Sequence, residues 1–452
     1  LGLASDASPA EAIARIDSFV CDIKDSQFGD GLHVFGAGPG EMAGLLTALA
    51  GRRVAAGPAG SPYRGRSDVL PTGRNLYCVD PRAVPSRAAH VQGVKLAEEL
   101  LRRHMQDHGE WPRGLVVDLW GSATMRTAGE EFAMALHLAG LAPCWDAGSD
   151  RVSGFEIVPP ALLGRPRIDV TLRVSGLFRD VFPGLAQLFE TGAAALARRD
   201  EPDDENPYTR MTPRVFGPQP GRYGLGLSTD VAEDYGTDGR YAAGEAWLRG
   251  SEWAIGADGN AYPARAALEA QVLAADGFAH VQDLVETDLL LAEDYAAHEG
   301  GFAAAVASLG GAVPALYHLD ATRADNPRAR SLAEEIGRTV RARAANPDWA
   351  TGMMAHGFRG GAEIAATLDH LAQFAHLTRA VPAHLFDLYH QATLGRADLV
   401  AFMERENPGA LAALRDRFAR LSAAGLWATR HNSIAASLGN AGAPEAALED
   451  GR

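Results

Sequence analysis

Two polar breaks in this chain gather arginine, serine and free backbone amides in the way a site for an acid-bearing ligand would. The first follows the apolar run Leu115-Val-Val-Asp-Leu-Trp120. Gly121-Ser122 interrupt it, Arg126 comes next, and a helix pattern is under way by Thr127. The second follows the alternating segment Ile168 to Val174, where Ser175-Gly176 make the break and Arg179 sits in the next helix pattern. Breaks at the carboxyl ends of strands are where α/β proteins place binding groups. The amides of a helix start favour anions, and a guanidinium grips a carboxylate with two hydrogen bonds. Each arginine also has a plainer partner nearby, Asp180 or Glu130, and spacing leaves both readings open.

Residues 286 to 299 form a second group: Glu286, Asp288, Glu293, Asp294, His298 and Glu299. On a helix Asp294 and His298 are four apart and share a face. Such oxygen and imidazole ligands suit divalent first-row metals, although a solvated acidic helix accounts for the same residues. His356 opens a third group. It precedes glycines that let backbones approach closely, and Glu363, Thr367 and His370 follow beside an apolar stripe. Histidines near carboxylates pass protons or hold a metal in transit; buried histidines with purely structural hydrogen bonds are commoner. Gly36-Ala-Gly-Pro-Gly40 lacks the third glycine of a dinucleotide fingerprint, having Glu41 there, and no Walker lysine follows. It reads as a strand-to-helix turn.

The elements that must carry these residues are an α/β unit and a helical region. Residues 1–60 read as the end of a preceding domain with a connecting segment, including a helix from Pro9 to Asp22 capped by Ser8. Residues 61–200 read as the α/β unit, with a helix from about Ser86 to His108 and strands at 115–120, 142–146 and 168–174. Thr127 and Glu130 have capping-box spacing. The strand and helix order predicts a mostly parallel sheet with flanking helices. Residues 201–345 read as mixed loop and helix with the acidic segment, the glycine-rich stretch 214–226 being an ordered loop. Residues 346–434 read as helical, broken at Pro382 and Pro408, and 435–452 as a flexible tail.

Composition narrows the function classes. The net charge is −15, with 42 lysines and arginines against 57 acidic residues. That argues against a general nucleic-acid binder, which needs cations to displace counterions. The three cysteines, Cys21, Cys78 and Cys144, form no CxxC pair, so a cysteine zinc site is not expected and a reducing, cytoplasmic setting is. No stretch approaches the roughly 20 apolar residues of a membrane span. The start, Leu1-Gly-Leu-Ala, is neither an initiator methionine nor a signal peptide and reads as part of a longer polypeptide.

Several longer motifs occur in order: Leu70-Pro-Thr-Gly-Arg-Asn-Leu-Tyr77 with Asp80-Pro81, Leu119-Trp-Gly-Ser-Ala-Thr-Met-Arg126, Gly164-Arg-Pro-Arg-Ile-Asp169, Ser175-Gly-Leu-Phe-Arg-Asp-Val-Phe182, Arg214-Val-Phe-Gly217, Glu299-Gly-Gly301, Tyr317-His318 with Asp320, Asn346-Pro-Asp-Trp349 and His356-Gly-Phe358. Over about residues 25 to 430 the chain resembles the family of aerobic cobaltochelatase (CobN) and magnesium chelatase large subunits, in its C-terminal portion. The resemblance implies a tetrapyrrole-binding subunit that inserts cobalt(II) into hydrogenobyrinic acid a,c-diamide in cobalamin biosynthesis. An AAA+ ATPase and a second smaller subunit would supply ATP hydrolysis with magnesium. Action on protoporphyrin IX as in magnesium chelatase, or tetrapyrrole binding without catalysis, are the alternatives. On this resemblance Arg74, Ser122, Arg126, Ser175 and Arg179 would bind the ring, Glu286, Asp288 and His356 would take protons, and Asp294, His298 and His318 would meet the metal. The acidic segment departs from the family pattern: Thr287 stands where a histidine is expected and Leu291 where an aspartate is.

Overall fold

The computed structural model describes residues 37–57, 73–74, 79–227 and 234–435. The expected helix at 9–22, the short strand before Gly36, most of the Leu70–Tyr77 motif, Cys21, Cys78 and nearly all of the tail lie outside them. Ten strands are described, numbered in chain order: β1 Gly114–Leu119, β2 Leu141–Trp145, β3 Val152–Ile157, β4 Asp169–Val174, β5 Val215–Gly217, β6 Trp253–Ile255, β7 Ala261–Pro263, β8 Gly277–Gln282, β9 Ala315–Asp320 and β10 Arg328–Ser331.

Eight of them form one sheet in the order β10-β9-β8-β1-β4-β5-β6-β7. The central five are parallel; β10 at one edge and β6 and β7 at the other are antiparallel. Both faces are covered by helices, which is why β1 reads as a near-continuous apolar run. Leu115, Val117 and Leu119 face one core with the helices Arg87–His108 and Glu130–Ala139. Val116 faces a second core with Trp247, Phe278 and Phe302. A third core lies among the C-terminal helices, and Pro382 and Pro408 stand at helix starts there. The α/β class with a helical C-terminal region is thus as the sequence predicts. The sheet, however, continues past residue 200 through β5 to β10. Those strands are short or hold His280, Gln282 and His318, and so look too polar to be buried.

Three local expectations are corrected. The segment 142–146 is a strand, but it pairs antiparallel with β3 in a separate ribbon. Only a short turn joins the two, which permits no parallel crossover. Residues 37–40 are not a turn ahead of a helix, because the helix already runs from Ala37 to Leu49. Of the Thr127–Glu130 capping box the forward half is present, but Thr127 stands at the end of a preceding helix and not at an N-cap position. It ends the helix Gly121–Thr127, and its hydroxyl accepts from the amides of Gly129 and Glu130, each at 3.2 Å.

Candidate functional site

Next to β1 in the sheet lies β4 on one side, followed by β5. On the other side β1 meets β8 and then β9. The carboxyl ends of β1 and β8 therefore flank the point where connections diverge, the place where open α/β sheets hold ligands. A row of polar side chains crosses the sheet here. Asp118 is opposite Arg173 on β4, and His280 on β8 is opposite His318 on β9. Along each strand these residues occupy the face of Val116 and Phe278, one step nearer the carboxyl end.

Asp118 is the hub. It is buried, and its Oδ2 lies 2.6 Å from Trp120 Nε1, 2.8 Å from His298 Nδ1 and 3.2 Å from His280 Nδ1; Oδ1 lies 3.4 Å from Arg173 Nη1. Burial opposes ionisation. His298, hydrogen bonds from both histidines and the Arg173 guanidinium nevertheless hold the carboxyl well below its usual range. Burial pulls the His298 pKa below the usual imidazole range, with Asp118 opposing that and Arg173 adding to it; Trp120 Nε1 and Arg173 Nη1 also face its Nδ1, at 3.1 and 3.0 Å. Trp120 packs on His280 and His298 and stacks with Tyr295 at 5.3 Å.

His298 and Glu299 reach the cluster from a π-turn, Ala296–Gly300. Such turns add a residue to a helix and recur at functional sites. Asp294, just before the π-turn, is exposed, whereas His298 within it is buried. His318 has no nitrogen left for a metal. Nδ1 is 2.9 Å from Glu299 Oε1, and Nε2 is 2.8 Å from Gln282 Oε1. Among the described residues no group of three or more His, Cys, Asp or Glu side chains is arranged to hold a metal ion.

The predicted arginines take separate partners. Ser175 Oγ accepts from Phe178 N at 3.2 Å and from Gly121 N at 3.0 Å, so one hydroxyl uses an amide from each break. The two helix starts lie so close that a Cβ on Gly121 would fall 2.5 Å from Phe178 N. Arg126 grips Asp283, after β8, with bonds of 2.7 and 2.8 Å. Arg179 pairs with Asp180 at 2.7 Å and binds the carbonyls of Pro218, Gln219 and Arg222, ordering that loop; its Nη2 is buried without a partner among the described residues. Ser122 is half-buried, and its hydroxyl makes no hydrogen bond among the described residues. Arg74 is half-buried beside Gly57.

Glu286 is exposed on the loop after β8. Asp288 is occupied: Arg343 binds it with bonds of 2.5 and 2.9 Å, and it caps Leu290 N at 2.9 Å. His370 Nδ1 lies 2.8 Å from Leu290 O, so the helix Gly357–Thr378 clasps the same loop. His356 is exposed at the start of that helix. Fourteen residues at about 1.5 Å each place it roughly 20 Å along the axis from His370.

Glu131 is a buried carboxyl bonded to the hydroxyls of Thr124 at 2.7 Å and Thr127 at 3.0 Å, and burial raises its pKa above the ordinary 4.5. Its stabilising contribution is complete below about pH 4.5 and fades as pH climbs through the raised folded-state value. Glu131→Gln should therefore flatten the fall in stability above about pH 4.5. Urea melts across that range check it; a variant that loses stability most at high pH would show that Glu131 is a satisfied anion.

The model of the CobN/Magnesium Chelatase family matches residues 37–434. The chain belongs to this family. It is 44% identical over 436 residues to the aerobic cobaltochelatase subunit CobN of Sinorhizobium sp, covering 92% of this chain and 34% of that protein. The Pseudomonas aeruginosa CobN is 42% identical over 412 residues, 86% of this chain and 33% of the relative. The chloroplastic magnesium-chelatase subunit ChlH of Oryza sativa subsp. japonica is more distant, at 28% over 414 residues, with coverage of 87% and 30%. The catalytic subunit of cobaltochelatase from Mycobacterium tuberculosis superposes with a TM-score of 0.80 at 37% identity, over 88% of this chain and 35% of that one. The chain thus spans about a third of the length of these family members. The Thr287 carbonyl accepts from Gln282 Nε2 at 2.6 Å, a backbone role that does not depend on the side chain at this position.

Proposed function

We propose that this chain is the C-terminal part of a large chelatase subunit that inserts cobalt(II) into hydrogenobyrinic acid a,c-diamide. In this reading an AAA+ ATPase and a second smaller subunit, carrying ATP and magnesium, drive the conformational work, and the complex operates in the cytoplasm. What carries the reading is a fold in common with a cobaltochelatase catalytic subunit, together with a dense polar cluster at the sheet's switch point. The higher identity to CobN than to the magnesium enzymes favours cobalt.

Insertion releases two pyrrole protons and exchanges water on the ion for ring nitrogens. Glu286, exposed and without a partner among the described residues, is the acceptor we assign for one proton; His356, some distance along the clasping helix, is assigned the other. The buried His298 and the exposed Asp294 are weak, exchangeable ligands for the arriving ion. Arg179 Nη2, Ser122 and Arg74 bind acid or amide groups at the ring edge, and Arg126 positions the β8 loop.

The test is reconstitution of the full-length large subunit with its ATPase partners. Cobalt insertion into the corrinoid precursor, followed by absorbance, is the expected result. Magnesium insertion into protoporphyrin would support the magnesium-chelatase alternative, and ring binding with no turnover would mark a binding-only paralogue. Glu286→Gln and His356→Ala should each slow insertion about tenfold, less than a buried catalytic acid or base because water substitutes at exposed positions. Unchanged rates in both would remove the assignment.

A further inference from the structure

Gln282 joins the buried cluster to the loop that presents Glu286. Its Nε2 donates to the carbonyls of Leu284 at 3.0 Å and Thr287 at 2.6 Å, which fixes which way the amide points. Oε1 must then face His318 Nε2, 2.8 Å away. An acceptor at that distance requires the proton to be on Nε2. The opposite ring nitrogen, Nδ1, faces Glu299 Oε1 at 2.9 Å. Both His318 and Glu299 are fully buried, and Glu299 Oε2 has no partner among the described residues.

We infer that Glu299 and His318 are positioning residues that act through Gln282: by turning the imidazole so that Nε2–H faces Gln282, they lock the loop 283–291 in the shape that presents Glu286. Neither residue needs to touch the ring or the ion. The chemistry also predicts which replacement is tolerated. A glutamine at 299 offers an amide donor to the Nδ1 lone pair, so a neutral imidazole keeps its proton on Nε2 and the lock survives. A leucine offers nothing, and the ring loses its orientation.

The lock is read by hydrogen–deuterium exchange in peptides covering 283–291, compared among wild type, Glu299→Gln, Glu299→Leu and Gln282→Leu. Exchange in this loop should quicken on the order of tenfold in Glu299→Leu and Gln282→Leu, and stay within about twofold of wild type in Glu299→Gln. If Glu299→Gln opens the loop as far as Glu299→Leu, the pair acts through its charge and the inference fails. It fails equally if Gln282→Leu leaves the loop closed. Should Gln282→Leu not fold, the contrast at Glu299 still decides. In the reconstituted complex the loosened variants should lose kcat for insertion while KM for the ring holds. This last arm rests on the chelatase reading. A parent complex that inserts no metal would defeat that reading while leaving the exchange result to judge the lock.

Discussion

Asp118→Ala should lower the unfolding free energy by about 3–5 kcal/mol, a large share of the roughly 5–15 kcal/mol that holds a domain together. The loss comes less from any bond than from what remains. Arg173, 1% exposed, would keep its charge with its carboxylate gone, and the Trp120 indole and two imidazoles would lose their acceptor. Burial already disfavours the Arg173 cation, and Asp118 is what offsets that. Denaturant melts of the single variant and of Asp118→Ala/Arg173→Met separate the two contributions. The double variant should recover much of the stability, because it deletes the stranded charge along with its partner. A single variant within about 1 kcal/mol of wild type would mean that water replaces the carboxylate, and the hub would lose its standing.

Arg126→Ala should slow metal insertion about a hundredfold in the reconstituted complex, the scale on which a displacement near 1 Å disturbs a reacting geometry. Arg126 ties the end of the Gly121–Thr127 helix to Asp283, whose side chain is 6% exposed. Without the guanidinium, Asp283 is a poorly solvated anion next to the loop bearing Glu286, and the loop shifts toward water. Arg126→Lys should restore only part of the rate, since an ammonium cannot make both bonds of the fork. The drop belongs to kcat if Arg126 acts by holding the loop, and to KM if it binds the ring directly. Wild-type values of both would remove Arg126 from the site.

How much of this is legible in the sequence depends on the range of the interaction. The break after Trp120, the helix from Arg87, the helix starts at Pro382 and Pro408 and the family motifs are local, and all of them can be read directly. Arg126 stands out by its place after a strand, but its partner is 157 residues away, beyond the reach of spacing. Asp118, Arg173 and His280 escape notice for a different reason. Period-two alternation treats a polar residue in a strand as solvent-facing, whereas here both faces of the sheet are covered. The available signal is an ionisable residue inside an apolar strand, as in Val116-Val-Asp-Leu119, Thr171-Leu-Arg-Val174 and Phe278-Ala-His-Val281. The π-turn leaves no signal in a hydrophobic pattern, so the regular i, i+4 spacing expected of Asp294 and His298 misses that one is exposed and the other buried.

The strand order has a bearing on synthesis at the ribosome. Asp118 meets Arg173 across a separation of 55 positions but must wait for His280, 162 positions on. For that interval the nascent chain carries β1 with one flank open, an apolar strip able to pair with any passing strand. A charge pointing from such a flank is a known deterrent to wrong pairing, so the aspartate that later organises the cluster first serves as a guard on the unfinished sheet.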